Sequence, residues 1–296
     1  MLFRSLMGDF AALKANVASK RPSRSTEFFA SLRSSPMFLV GACIVLFWVL
    51  CAIFGKYVVP YDPLADDILN SLLPPSADHW LGTDQLGRDV FSRVITGSRD
   101  ILTVAPLATL LGVMTGTTLG LVTGYFGGVI DEIVGRVVDA FLALPLIIVA
   151  LLALVALGAS NATVIFVIGL SFTPIIAKTV RAAVLAERDL DYVTAVHLRR
   201  ETHLYVMFVE ILPNVAAPII VEASVRLGYA IFAVATLSFL GFGIQPPSPD
   251  WGLTIASNYG LVGNCYWTVL FDAIAIASLV VGVNLAADGL QHMLHD

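Results

Sequence analysis

Long uncharged apolar runs, broken by short polar segments, set the pattern of this chain. The first run covers 37–59. Residues 101–130 carry no charge at all, and neither do residues 140–177. A membrane-spanning helix needs about 20 predominantly apolar residues. That length places spans at 37–59, 101–125, 137–157, 162–180, 214–241 and 267–288. The break inside 140–177 is the turn-type cluster GASN at 158–161. The runs are continuous rather than alternating, which excludes a membrane β-barrel. The pattern predicts an all-α polytopic membrane protein of six transmembrane helices.

Composition agrees with the pattern. Of 296 residues, 57% are hydrophobic and only 13% charged, against about 25% charged in soluble domains. The first apolar run starts late, at Met37, and is too long for a secretory signal, so it is expected to be a retained span. Cys43, Cys51 and Cys265 form neither a disulfide framework nor a CxxC metal pair and are expected to pack as small residues.

The basic residues orient the spans. Arg4, Lys14, Lys20, Arg21, Arg24 and Arg33 precede the first span, Arg136 lies between the second and third, and Lys178, Arg181, Arg188, Arg199 and Arg200 lie between the fourth and fifth. The other side has Lys56, Arg88, Arg93 and Arg99, with seven aspartates from Asp62 to Asp100. Twelve against four puts both termini in the cytoplasm and faces 60–100 and 243–266 outward. The resulting divisions are a tail at 1–36, a first helix at 37–59 and an outer loop at 60–100. A five-helix core at 101–290 follows, holding a cytoplasmic loop at 181–213, and a tail at 291–296 ends the chain.

Three features mark the spans. Gly112, Gly116, Gly120, Gly124 and Gly128 recur every fourth residue, a ridge on which another helix packs closely or which lines a conduit. Glu222 and Arg226 stand at i and i+4 with the acid first. They are either a mutually neutralised pair facing the bundle interior or part of a substrate pathway. Asp139, Asp272 and Asp288 fall near span ends, where water or headgroups are expected to solvate them.

The chain lacks a GxxxxGK[ST] phosphate cradle, an HExxH or Cys/His metal set and a GxSxG nucleophile elbow. No catalytic residue, resident metal or bound cofactor is expected. If ATP drives this protein, another subunit binds it.

One polar insert interrupts the apolar pattern: YVTAVHLRRETHLYVMFVEILPN at 192–214. Asp191 suits the N-cap of a helix beginning at Tyr192. Tyr192, Val193, Ala195, Val196 and Leu198 wrap one side, and Arg199, Arg200 and Glu201 follow. A second short helix from Leu204 leads to Pro213-Asn214 and the next span. The residues alone leave two readings: a helix lying on the headgroups, or a knob that docks a cytoplasmic partner.

The insert resembles the cytoplasmic EAA loop of ABC importer permeases, in which an E-A-A-x-x-x-G pattern precedes a hydrophobic-Pro element; here DYVTAVHLRR precedes VEILPN at 209–214. HWLGTDQLGRDVFSRVITGSRDIL (79–102), GYFGGVIDEIVGRVVDAFLALP (124–145), TLSFLGFGIQPPSPDWG (236–252) and NLAADGLQHML (284–294) are similar to segments of the dipeptide/oligopeptide/nickel importer permeases, in order, over about 37–294. Within that family they resemble the C-type permease. The resemblance implies a type I importer transmembrane fold and a heterodimer with a B-type permease. It also implies two cytoplasmic ATPase subunits that bind ATP and Mg, an extracytoplasmic solute-binding protein, a peptide-class substrate and a bacterial inner membrane; no nucleic acid is implied. Asp191, Tyr192, Thr194, Ala195, His197, Arg199, Arg200, Glu201 and His203 then become the ATPase-coupling candidates. Glu222 and Arg226 become pathway candidates. Asp84, Arg88, Asp89 and Arg93 become candidates for a loop facing the binding protein, or for local ion pairs capping the bundle.

The chain departs from the family pattern twice: Thr194 replaces the first acid, and Arg200 replaces the glycine. That glycine falls at a turn where left-handed geometry is often needed, and arginine there costs about 1 kcal/mol if φ is positive. Two alternatives outside this class are a secondary transporter with Glu222, Arg226 or Asp272 as proton relay, and a non-transporting membrane scaffold or sensor. The cargo is not specified by these residues.

Overall fold

The computed structural model describes residues 35–295. The six tail cations used above for orientation lie outside them. Among the described residues every regular element is a helix, with no strand beyond a single Thr83–Asp89 bridge.

Helix α1, Pro36–Val58, starts at Ser35, whose hydroxyl accepts from the Phe38 N–H at 3.4 Å, and carries Pro36 in its first turn. Helix α2, Val90–Phe126, begins well before the predicted 101. Its N-cap is Asp89, whose Oδ2 accepts from the Ser92 N–H at 2.8 Å and the Ser92 hydroxyl at 2.7 Å. The early turns hold polar residues because they are buried in protein rather than lipid, so a search for apolar runs misses them.

The third predicted span is two helices, α3 (Gly128–Leu142) and α4 (Leu146–Leu157), meeting at 90°. Pro145 is the N-cap of α4; its ring forbids the hydrogen bonds that would continue α3. Helix α5 is Asn161–Glu187, capped by Ser160 in the predicted GASN break. Helix α6 is Asp191–Leu198. A helical stretch then runs through His203–Tyr205, a π-helical Val206–Ile211 and Leu212–Asn214. Helix α7 is Ala216–Phe239, α8 is Trp251–Asn258 and α9 is Trp267–His295. The predicted tail at 291–296 is therefore largely the last turn of α9. By length and composition five helices can cross a membrane, and the bent α3–α4 pair makes a sixth.

The α2–α5 pair forms the centre. A Cβ added to Gly112 would stand 2.8 Å from the Gly169 carbonyl oxygen, and one at Gly120 2.7 Å from that of Ala177. At Gly116 it would meet the Ile176 Cβ at 2.7 Å, and at Gly124 the Val184 Cβ at 2.8 Å. The ridge thus packs helix on helix. Gly128 does not belong to it. The chain turns at Gly127-Gly128, where both φ angles are positive, and nothing lies within 4 Å of a Cβ at Gly128.

Helices α1 and α9 pack by the same device, Gly41 against the Ala286 backbone and Gly289 against Phe38. These contacts put the start of α1 and the end of α9 at one end of the bundle, the end that also holds α6. The opposite end is closed by a cap made of 60–89, the first turns of α2, and α8. Trp251 is fully buried and its Nε1 donates to the Val94 carbonyl at 2.8 Å. Trp267 Nε1 donates to the Thr83 carbonyl at 3.2 Å.

Candidate coupling surface

Helix α6 and the stretch 203–214 form a hairpin at the bundle end opposite the cap. Leu190, not Asp191, is the N-cap of α6. Asp191 occupies the first turn instead, where its charge suits the helix dipole. Val193 and Val196 are buried, as are Val206, Met207, Ile211 and Val215 from the returning limb. This apolar seam holds the hairpin closed and fixes which residues face out. Thr194, Ala195, His197, Arg199 and Arg200 are exposed, and Leu198 and Leu204 are 80% and 65% exposed.

The turn between the limbs settles the geometry at the odd arginine. Arg200 has φ +59°, a left-handed conformation. Its N–H donates to the His197 carbonyl at 2.9 Å, while its side chain is exposed and has no ion-pair partner among the described residues. Arg199 instead pairs with Glu201 at 3.2 Å and approaches Glu210 at 4.0 Å. Thr202 then caps the next turn, accepting from the Tyr205 N–H at 3.3 Å. Arg200→Gly is expected to raise the thermal midpoint of the purified chain slightly. Removing a left-handed penalty of about 1–2 kcal/mol outweighs the extra chain entropy of glycine, about 0.5–1 kcal/mol. A lower midpoint would show that the guanidinium itself supports the turn.

Two ties that the sequence did not reveal bind the hairpin to the central helices, and a third joins the ends of those helices beside it. The Tyr192 hydroxyl donates to Glu187 Oε2 at 2.8 Å and accepts from Asn214 Nδ2 at 3.0 Å, joining the end of α5 to both limbs. Burial, then the Glu187 bond, raise the Tyr192 pKa above its ordinary value, so the phenol stays a donor. Arg188 Nη1 donates to the Gly124 carbonyl at 2.8 Å. Tyr125 at the end of α2 hydrogen-bonds His203 Nδ1 at 2.8 Å and stacks near His197, with ring centroids 6.0 Å apart. All but the Tyr192–Glu187 pair are far apart in sequence, and none follows a periodic signal. Tyr192, His197 and His203 were coupling candidates, and Gly124 and Arg188 stood out for other reasons, but their partners Glu187, Asn214 and Tyr125 did not.

The remaining candidates lie elsewhere. Glu222 and Arg226 form an ion pair at 2.7 Å on α7, with each side chain 16% exposed, and the Arg226 guanidinium lies 5.0 Å from the Tyr229 ring centroid. Asp84, Asp89 and Arg93 do not face outward. All three are buried inside the cap, so they present no contact surface. Asp84 Oδ2 accepts from Arg88 Nε at 2.8 Å and lies 3.7 Å from Arg93 Nε. Arg93 also donates to the Pro63 carbonyl and to Thr254 Oγ1, each at 3.0 Å. Asp89 pairs with His79 at 2.9 Å. They are buried because the outer loop folds into a small polar core of its own.

Asp272 is a further correction. It is fully buried, and neither carboxylate oxygen has a hydrogen-bond partner. It sits in the electrostatic field of Arg93, Asp250 and Asp84 rather than in water or headgroups. Asp250 beside it caps α8, and burial raises its pKa to about 6. Asp139 and Asp288 are exposed as expected, Asp139 pairing with Lys178 at 2.5 Å.

A cleft of about 640 Å³ between α3 and the α2–α5 pair is also charged, but its charges are matched: Asp131 with Arg181, Glu132 with Arg136, and Asp139 with Lys178.

The family described as "Binding-protein-dependent transport system inner membrane component" matches residues 116–296, and "N-terminal TM domain of oligopeptide transport permease C" matches 23–75. The di/tripeptide transport system permease protein DppC of Pseudomonas aeruginosa is 36% identical over 92% of each chain. The dipeptide transport system permease protein DppC of Escherichia coli K12 is 38% identical over 90% of this chain and 91% of its own. The probable D,D-dipeptide transport system permease protein DdpC of Escherichia coli K12 is 34% identical over 95% of this chain and 96% of its own. A chain of the MetNI methionine ABC transporter, solved in inward-facing conformations, superposes with a TM-score of 0.55 at 19% identity, over 68% of this chain and 96% of that one. That likeness is one of fold. With the family match covering more than half of the chain and relatives matching over nearly all of it, this protein belongs to the binding-protein-dependent transport system inner membrane components, the permease subunits of ABC importers.

Proposed function

We propose that this chain is one of two permeases in a bacterial inner-membrane importer of di- and oligopeptides, and that its hairpin at 191–214 receives the ATPase stroke. The observation that carries the proposal is the hairpin itself. The hairpin that exposes Thr194, Ala195, His197, Leu198 and Arg200 is hydrogen-bonded through Tyr192 and His203 to the ends of α5 and α2. The names of the relatives support the peptide cargo. In this reading a separate ATPase subunit holds ATP and Mg on the cytoplasmic side, and a solute-binding protein delivers cargo at the cap end. The chain itself performs no bond chemistry. It converts a push on the hairpin into a rigid-body change of access.

The Glu222–Arg226 pair with Tyr229 is the proposed polar element of the conduit, where Arg226 offers a cation to a peptide carboxylate. No relative supports the proton-coupled alternative.

Peptide uptake by the full transporter in proteoliposomes tests the coupling role. Scrambling 192–203 is expected to reduce ATP-dependent uptake to background while the subunits still co-purify. Full uptake by the scrambled transporter removes the hairpin from the mechanism.

A further inference from the structure

A groove of about 670 Å³ opens on the flank of the bundle between α1, α2 and α7, and no residue of the hairpin or of the Glu222–Arg226 pair lines it. Its walls are apolar over most of their depth, with Val49 from α1, Leu102 from α2 and Leu227 from α7. Its cap-end rim carries two cations, Lys56 and Arg99. Both are exposed, and neither has a carboxylate partner among the described residues. That is unusual for this chain, since most of its described cations are paired.

The depth of the rim follows from the helix crossing. Gly55 of α1 abuts Ile95 of α2, where a Cβ would come within 2.9 Å of the Ile95 Cγ2. Lys56 is the next residue on α1, and Arg99 lies one turn past Ile95 on α2. Lys56 is in the last turn of α1, where the helix leaves the hydrocarbon. Its ammonium rests 4.7 Å from the centroid of Tyr57, a ring that is 75% exposed. An exposed tyrosine beside a lysine at a span end marks the headgroup level. Val49 and Leu102 are deeper. The groove therefore has its charge at headgroup depth and its apolar length at acyl-chain depth.

We infer that this groove binds an anionic phospholipid of the leaflet at the cap end. Its phosphate would lie between Lys56 and Arg99 and an acyl chain along Val49, Leu102 and Leu227. Charge complementarity argues for the lipid over a protein helix, because an apolar helix would leave both cations uncompensated. Long basic side chains near a span end reach toward the interface in the way this site requires. The inference rests on the spanning helices alone and does not depend on what the transporter carries.

The test uses the full-length chain, purified with the subunits it brings out of the membrane. Photoactivatable phosphatidylglycerol is expected to label peptides from 45–57 and 99–106, with native mass spectrometry showing a retained lipid. Phosphatidylcholine with the same chains should label them weakly, and millimolar inorganic phosphate should not compete. Each cation near an anionic headgroup strengthens binding severalfold, so Lys56→Gln/Arg99→Gln should reduce labelling by about tenfold or more. Val49→Trp fills the apolar part and leaves the rim intact; it should also lose the lipid, and it decides the matter if the double variant fails to fold. Equal labelling by phosphatidylcholine, unchanged labelling in a folded double variant or in Val49→Trp, or a cross-link from Ile53 to another subunit would each overturn the assignment.

Discussion

Arg93→Ala is expected to destabilise the cap by about 3–5 kcal/mol, the range for stripping one partner from a buried charge set. Arg93 is 2% exposed and holds four groups at once: Asp84, the Pro63 carbonyl, Thr254 and, through its field, Asp272. Asp84 keeps Arg88 when Arg93 is lost, but Arg93 is the cation whose field reaches Asp272. Arg93→Lys should recover little, since an ammonium cannot replace a guanidinium fork that reaches a carbonyl and a hydroxyl together. The informative variant is Arg93→Met/Asp272→Leu. It removes both ionisable groups, and it should be markedly more stable than Arg93→Ala. Thermal melts followed by tryptophan fluorescence check this directly, because Trp251 and Trp267 both lie in the cap. If the double variant melts no higher than Arg93→Ala, the two groups are not coupled.

The second large effect is expected at Gly120. Even Gly120→Ala places a Cβ 2.7 Å from the Ala177 carbonyl oxygen, and backbone cannot step aside as a side chain can. The central helices must separate, at a cost of about 1–3 kcal/mol for the first methyl and more for leucine. The α2–α5 contact has no hydrophobic drive in lipid beyond close packing, so separation removes most of what holds it. Gly135→Ala is the control. It lies inside α3 with nothing within 4 Å of a Cβ, and alanine there should be neutral or stabilising by up to about 1 kcal/mol. The fraction of monodisperse protein after solubilisation should fall sharply for Gly120→Leu and not for Gly135→Ala. Equal yields would mean that the ridge is not a close-packed contact.

The parts of this fold legible in the sequence were those written locally. Uninterrupted apolar length gave α1 and α7 within two residues at each end and the starts of α5 and α9 within one, although both of these run seven residues past the predicted end, and a repeat of four gave the Gly112–Gly124 ridge. Arg200 in a slot where glycine is usual pointed to the left-handed turn that the structure contains. What stayed hidden depends on tertiary burial. The first turns of α2 read as a polar loop because Asp89, Ser92 and Arg93 look the same in sequence whether they face water or each other. Asp272 was assigned to solvent by its place near a span end, while the cap that covers it comes from residues far away in the chain. At the hairpin, the candidates in α6 were visible as a polar insert. The partners that tie them down, Tyr125, Glu187 and Asn214, sit on separate elements and follow no spacing rule.

Helix α2 has 37 residues, about 55 Å of rod, well beyond the roughly 30 Å of hydrocarbon it crosses. One end hydrogen-bonds the hairpin through Tyr125, and the other carries Arg93 into the centre of the cap. The two faces of the membrane are therefore in mechanical contact through one stiff element. By simple leverage, a tilt of about 5° about either end carries the other end about 5 Å, given that length. Under the proposed coupling role, the cap is the far end of a crank whose position follows the hairpin with no relay of side chains between them.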